Sequence, residues 1–181
     1  MSDTQKPTDP VVDHLERLAR DQDRATLALL RSSLQEGRSL EGLRVVLPFL
    51  KRRSEGATRA EDDALLVAGL FALHPESGSL SLASALRIVA RESDSVELRF
   101  RALLGADRQD LGTHLRHAVT LIASRGLAID WRDLHTTLRF WDRPAQPPNQ
   151  DRARREWARD FWSDDTQSTA TATATVTATT A

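Results

Sequence analysis

Apolar residues recur along most of the chain at the three- and four-residue spacing of a helix face, and no convincing period-two run interrupts them. Val12, Leu15 and Leu18 open the series; Leu27, Leu30 and Leu34 carry it to a stop near Gly37. Leu40 to Arg53 contains Pro48, whose ring clashes inside a helix, so that segment bends or ends just before it. A polar loop, SEGATRAEDD (54–63), then leads to Leu65–Leu73, which predicts a buried helix stopping at His74-Pro75. Leu82, Leu86 and Val89 predict another after the small-residue turn ESGS at 76–79.

The second half repeats the pattern with clearer punctuation. Asp94 and Glu97 have capping-box spacing ahead of Val96, Phe100, Leu103 and Leu104. Leu111, Leu115, Ala118, Val119 and Ile122 form a long stripe, and Gly126 stands where a helix C-cap is expected. Asp130 reads as the next N-cap, with Trp131, Leu134, Leu138 and Trp141 toward the core and Arg132, His135 and Arg139 opposite. DRPAQPP ends that helix, and Asn149 can cap a final one reaching Trp162. There Ala153, Trp157 and Phe161 share one face while Arg152, Arg155 and Arg159 share another. All four tryptophans lie between 131 and 162, so the C-terminal half owes its packing to them. The fold class expected is all-α, a compact helical bundle of two packed sub-bundles, 11–93 and 94–164. A flexible stretch, 1–10, precedes them and a disordered Thr/Ala tail, 165–181, follows.

Charge changes this picture only through its distribution. The 181 residues carry a formal net charge of −1, yet residues 24–53 hold seven basic against two acidic groups, and residues 99–159 twelve against seven. If folding joins these blocks, a neutral molecule gains a cationic surface that binds locally and salt-sensitively. Only Lys6 and Lys51 among the basic residues are lysines. Planar guanidinium groups suit phosphate, although a GC-rich genome gives the same bias and a charged helix face is usually plain solvated surface. The absence of cysteine excludes disulfides, thiolate metal sites and cysteine nucleophiles. With no signal-like start and no apolar run of membrane-spanning length, the expected location is cytoplasmic, with no membrane partner.

Candidate chemistry is sparse. His114 and His117 stand at i, i+3 with His135 on the next helix, but no carboxylate joins them at ligand spacing, so no metal site is assigned. The paired acids Asp62-Asp63, Asp107 with Asp110, and Asp130 with Asp133 fall at predicted helix starts, where they complement bare amides. No nucleophile elbow, P-loop or dinucleotide fingerprint occurs; the reading is a non-enzyme without catalytic residues or cofactors. The live question is whether the arginines beside the apolar stripes touch nucleic acid. Helical register assigns Trp131, Trp141 and Trp157 to the core, which leaves Trp162 alone as a base-stacking candidate.

From LALLRSS through PFL, ALHP, SLASALRI, ELRFRALLGADRQDL, HLRHAVTLI and AIDWRDL to RREWARDFW, the order and intervals of these segments resemble the CasB family. That family is the small subunit of Cascade, the type I-E CRISPR surveillance complex used in antiviral defence. The resemblance covers roughly residues 11–162. It implies an all-helical, non-enzymatic subunit whose partners are guide RNA, target DNA, the backbone and large subunits of Cascade, and a second copy of itself. It further implies a basic surface that stabilises the guide-target hybrid and the displaced strand, the R-loop. The family's basic positions fall on Arg31, Arg99, Arg108, Arg116, Arg152 and Arg154. Helical spacing adds Arg24, Arg101, Arg155 and Arg159. Where the family often has a second basic residue after HLR, this chain has His117, whose charge depends on pH. The alternative is an architectural helical subunit without important nucleic-acid contact.

Overall fold

A computed structural model describes residues 8–35, 39–50, 57–142 and 151–163. Their helices run in order α1 (Pro10–Arg20), α2 (Arg24–Ser32), α3 (Ser39–Val46), α4 (Ala57–Leu73), α5 (Leu82–Ala90), α6 (Ser95–Gly105), α7 (Leu111–Ala123), α8 (Trp131–Phe140) and α9 (Arg152–Trp162). A 3-10 turn, Leu47–Phe49, follows α3 where Pro48 forbids continuation. The all-α expectation holds, and several helix ends are the predicted ones. Asp130 accepts from the amides of Arg132 and Asp133 at the start of α8, and Gly126 takes a positive φ of 64° just past α7.

α4 is the axis of the assembly. It packs against α1, α2, α3, α7 and α8, so Ala64, Val67, Ala68, Leu70, Phe71 and Ala72 are buried around its whole circumference. α5 packs on α6, α7 and α9. One apolar core runs continuously from Val11 to Phe161 and joins both sets of helices. α8, packed mainly on α4 and also on α9, links the two groups expected at 11–93 and 94–164.

Four local expectations are corrected. α4 begins at Ala57, inside the stretch read as a polar loop; Asp63 there is buried and faces a partner that spacing could not reveal. The ESGS segment is not a turn: Ser77–Leu80 is a short strand, β1, bridged in parallel to Ile129. Gly78 is required there, because a Cβ would lie 2.6 Å from the Ala128 carbonyl oxygen. Asp94 makes no side-chain cap to α6; Glu97 instead accepts from Arg101 and Trp162. Finally, the face of α8 opposite the tryptophans is only partly solvated: Arg139 is exposed, but His135 is buried and Arg132 pairs with Asp13 and Glu16 of α1. Asn149, expected to cap α9, lies outside the described residues, as do residues 1–7 and 164–181.

α1 is tied to α8 by one carboxylate. Asp9 Oδ1 accepts from the amides of Val11 and Val12 at the start of α1, while Oδ2 lies 2.6 Å from His135 Nδ1. Burial works against the charged carboxyl, but the His135 contact and the two amides outweigh it and hold Asp9 below its ordinary value. A depressed folded value makes the stabilisation fully present above the usual carboxylate range and lost as pH falls through the folded value. Asp9→Ala is therefore expected to cost about 1–3 kcal/mol near neutrality. Its deficit against the parent should shrink as pH falls below the usual carboxylate range in urea titrations; a pH-independent deficit would refute this account.

Candidate nucleic-acid interface

Arg99 on α6 and Arg116 on α7 come together from different segments of the chain. Both line a cleft of about 620 Å³ between these helices, with His114 and His117 beside them and Leu86, Leu103 and Leu121 among the apolar lining residues. α6 turns Val96, Phe100 and Leu103 inward, and α7 turns in Leu115, Ala118 and Val119. The residues between those positions must then point outward, which exposes Arg99 and Arg116. Neither guanidinium makes an ion pair or hydrogen bond with a described residue. Two uncompensated cations on one rim form a surface for phosphate or carboxylate.

Other nominated arginines have internal work. Arg108 is ion-paired with buried Asp63 and reaches the Leu138 carbonyl at 3.4 Å. Burial pushes the Asp63 carboxyl above its ordinary value, against the opposing pull of Arg108. Arg154 donates to the carbonyls of Leu104 at 2.8 Å and Ala106 at 2.9 Å, pairs with Asp142 at 2.6 Å, and lies over the Trp141 ring at 4.6 Å. Arg31 places Nε and Nη2 on the Ala72 carbonyl at 3.0 and 2.7 Å. Arg101 pairs with Glu97 at 2.6 Å and Arg152 with Glu156 at 2.8 Å, both solvated i, i+4 contacts. Arg24, Arg155 and Arg159 are exposed, the last two along the outer face of α9.

A family model for CRISPR-associated protein Cse2 matches residues 26–162, from the first turn of α2 to the last residue of α9. The chain belongs to the Cse2 family. The Cse2 protein of Thermus thermophilus is 36% identical over 121 residues, 65% of this chain and 65% of its own length. The chain thus spans just under two thirds of the curated relative it matches. The crystal structure of CasB from Thermus thermophilus superposes with a TM-score of 0.71 at 31% identity, over 85% of this chain and 96% of that one. A chain of a CRISPR RNA-guided surveillance complex superposes with a TM-score of 0.59 at 21% identity, over 85% and 93%, a likeness of fold alone. The CasB resemblance read from the sequence and the Cse2 match name the same family.

Within this Cse2-family chain, the histidines part company. His114 and His117 reach the cleft, whereas His135 is buried against Asp9. Among the described residues no cluster of three His, Cys, Asp or Glu could hold a metal ion, and no helix is long and apolar enough to cross a membrane. Sequence reasoning passed over His114 as a cleft residue; its signal was the i, i+3 spacing that sets His114 beside His117 on the surface of α7.

Proposed function

We propose that this chain is the non-catalytic small subunit of a type I-E Cascade surveillance complex, assembling with the backbone and large subunits, guide RNA and a second copy of itself. Its task is to hold nucleic-acid backbone and so retain the R-loop in antiviral defence. The convergence of Arg99 and Arg116, without described partners, on the rim of one cleft is the observation that carries this reading. Family membership and the likeness in fold to a surveillance-complex chain support the setting. In RNA-guided recognition, pairing reads the sequence and exchange of one duplex for another is nearly balanced, so a few protein cations on phosphates can tip it. Contacts of this kind are indifferent to base order. Arg101, Arg152 and Arg155 are secondary contributors, and Arg31, Arg108 and Arg154 serve by shaping the surface that the free arginines occupy.

The test is the double charge reversal Arg99→Glu with Arg116→Glu in the reconstituted surveillance complex, Arg154 being left intact because the fold leans on it. Assembly is expected to survive. Retention of target DNA should weaken by about 1 kcal/mol per contact and the salt slope of binding should fall by about two. Unchanged retention at every salt concentration would sink the proposal and leave the chain a scaffold.

A further inference from the structure

Three of the four tryptophans are fully buried, whereas Trp162 is 46% exposed although it is held on several sides. Its Nε1–H donates to Glu97 Oε1 at 3.2 Å. Its ring meets Phe100 and Phe161 edge-on, each with centroids 5.4 Å apart, and those two rings stack on one another at 4.0 Å. An indole fixed in this way presents an exposed surface and loses little conformational freedom on binding a flat partner. Its neighbours on α9 decide which flat partner. Arg155, Arg159 and Trp162 fall at i, i+4 and i+7, one face of the helix, and both arginines are exposed without an ion pair among the described residues. Among the described residues, Glu97, which the indole meets, is engaged with Arg101 at 2.6 Å, and Asp160 on α9 with the Ser81 hydroxyl at 2.6 Å.

From this geometry we propose that the outer face of α9 is a single-strand platform, on which Trp162 stacks one base while Arg155 and Arg159 hold the flanking phosphates. The platform rests on the nucleic-acid reading above and deepens it, since it contacts bases as well as backbone. Stacking tolerates every base because each has a π-face, so it adds affinity without sequence preference. An apolar partner surface would use the indole equally well but gains nothing from two adjacent cations.

Full-length protein at low salt, titrated with a thymidine 20-mer and with an abasic strand of equal length, separates these contributions. The parent should prefer the thymidine strand by about tenfold and show tryptophan quenching with it alone. Trp162→Leu should lose the preference and the quenching with unchanged affinity for the abasic strand; Trp162→Phe should keep most of the preference. Arg155→Gln with Arg159→Gln should weaken both strands alike. Equal binding of the two strands by the parent, or a Trp162→Leu variant that keeps the preference, overturns the platform. So does a Trp162→Leu variant that leaves strand binding untouched and instead fails to assemble, which would assign the indole to a protein surface. Arg99→Glu with Arg116→Glu as a further arm judges the cleft separately, because loss of abasic-strand binding there leaves the base preference unaffected.

Discussion

Replacing Arg108 by alanine lowers the free energy of unfolding by about 3–5 kcal/mol, because the substitution strands a carboxylate inside α4. Asp63 is 1% exposed and Arg108 supplies the ion pair that compensates its burial. An unpaired buried charge costs more than the pair is worth. The double substitution Arg108→Leu with Asp63→Leu should therefore recover most of the loss that Arg108→Ala alone incurs. Lowering the pH should also shrink the single variant's deficit, since an orphaned Asp63 takes up a proton more readily than the paired one. Urea unfolding of the parent, Arg108→Leu, Asp63→Leu and the double, with Arg108→Ala alongside, at two pH values provides the cycle. A loss below about 1 kcal/mol for Arg108→Ala would show that Asp63 is satisfied elsewhere.

Trp157→Ala should cost a similar amount, about 3–5 kcal/mol, and would be the most damaging change to α9. Trp157 is 1% exposed and its ring lies 5.2 Å from that of Trp141, so its removal opens a cavity between α8 and α9. The two indoles differ in a way that gives a finer test. Trp141 Nε1 donates to the Ala106 carbonyl at 3.3 Å, whereas Trp157 Nε1 is buried without a partner among the described residues. Phenylalanine at 157 removes an unsatisfied donor along with some area, but phenylalanine at 141 leaves the Ala106 carbonyl short of one partner. Trp157→Phe should thus be the milder of the two by about 1 kcal/mol in calorimetry or denaturant titration. The reverse order would contradict the assigned hydrogen bonding.

The sequence announces those features that depend on periodicity and punctuation. The stripes of α6, α7, α8 and α9, the break at Pro48, the Asp130 cap and the Gly126 stop each require only neighbours within a turn or two. What it hides are pairings between distant segments. Asp63 looks like loop polarity until Arg108, 45 residues later, is folded against it. His135 reads as surface until Asp9 arrives from 126 residues away. β1 escapes because a strand that bridges one isoleucine needs no alternating pattern. The candidate site follows the same division. Exposure of Arg99 and Arg116 follows from helical phase, but their shared cleft needs the packing of α6 on α7. Arginines with free guanidiniums and arginines held by carbonyls are indistinguishable in sequence, since both sit beside an apolar stripe.

Those carbonyl-held arginines share a habit. Arg31 ends on Ala72 near the close of α4, Arg154 on Leu104 and Ala106 around the close of α6, Arg108 on Leu138 near the close of α8, and Arg87 on Ser163 just past α9. Each guanidinium brings positive charge and N–H donors to the end of a helix, where the regular i+4 amide donors run out. Lysine carries the same charge but as one compact ammonium on a flexible stem, and cannot reproduce a rigid fork that reaches two carbonyls and a carboxylate together, as Arg154 does. A lysine scan thus sorts the arginines by employer: exchange tolerated where a point charge suffices, refused where the guanidinium closes a helix. Part of this chain's arginine surplus is therefore architectural, settled by helix ends before any phosphate is met.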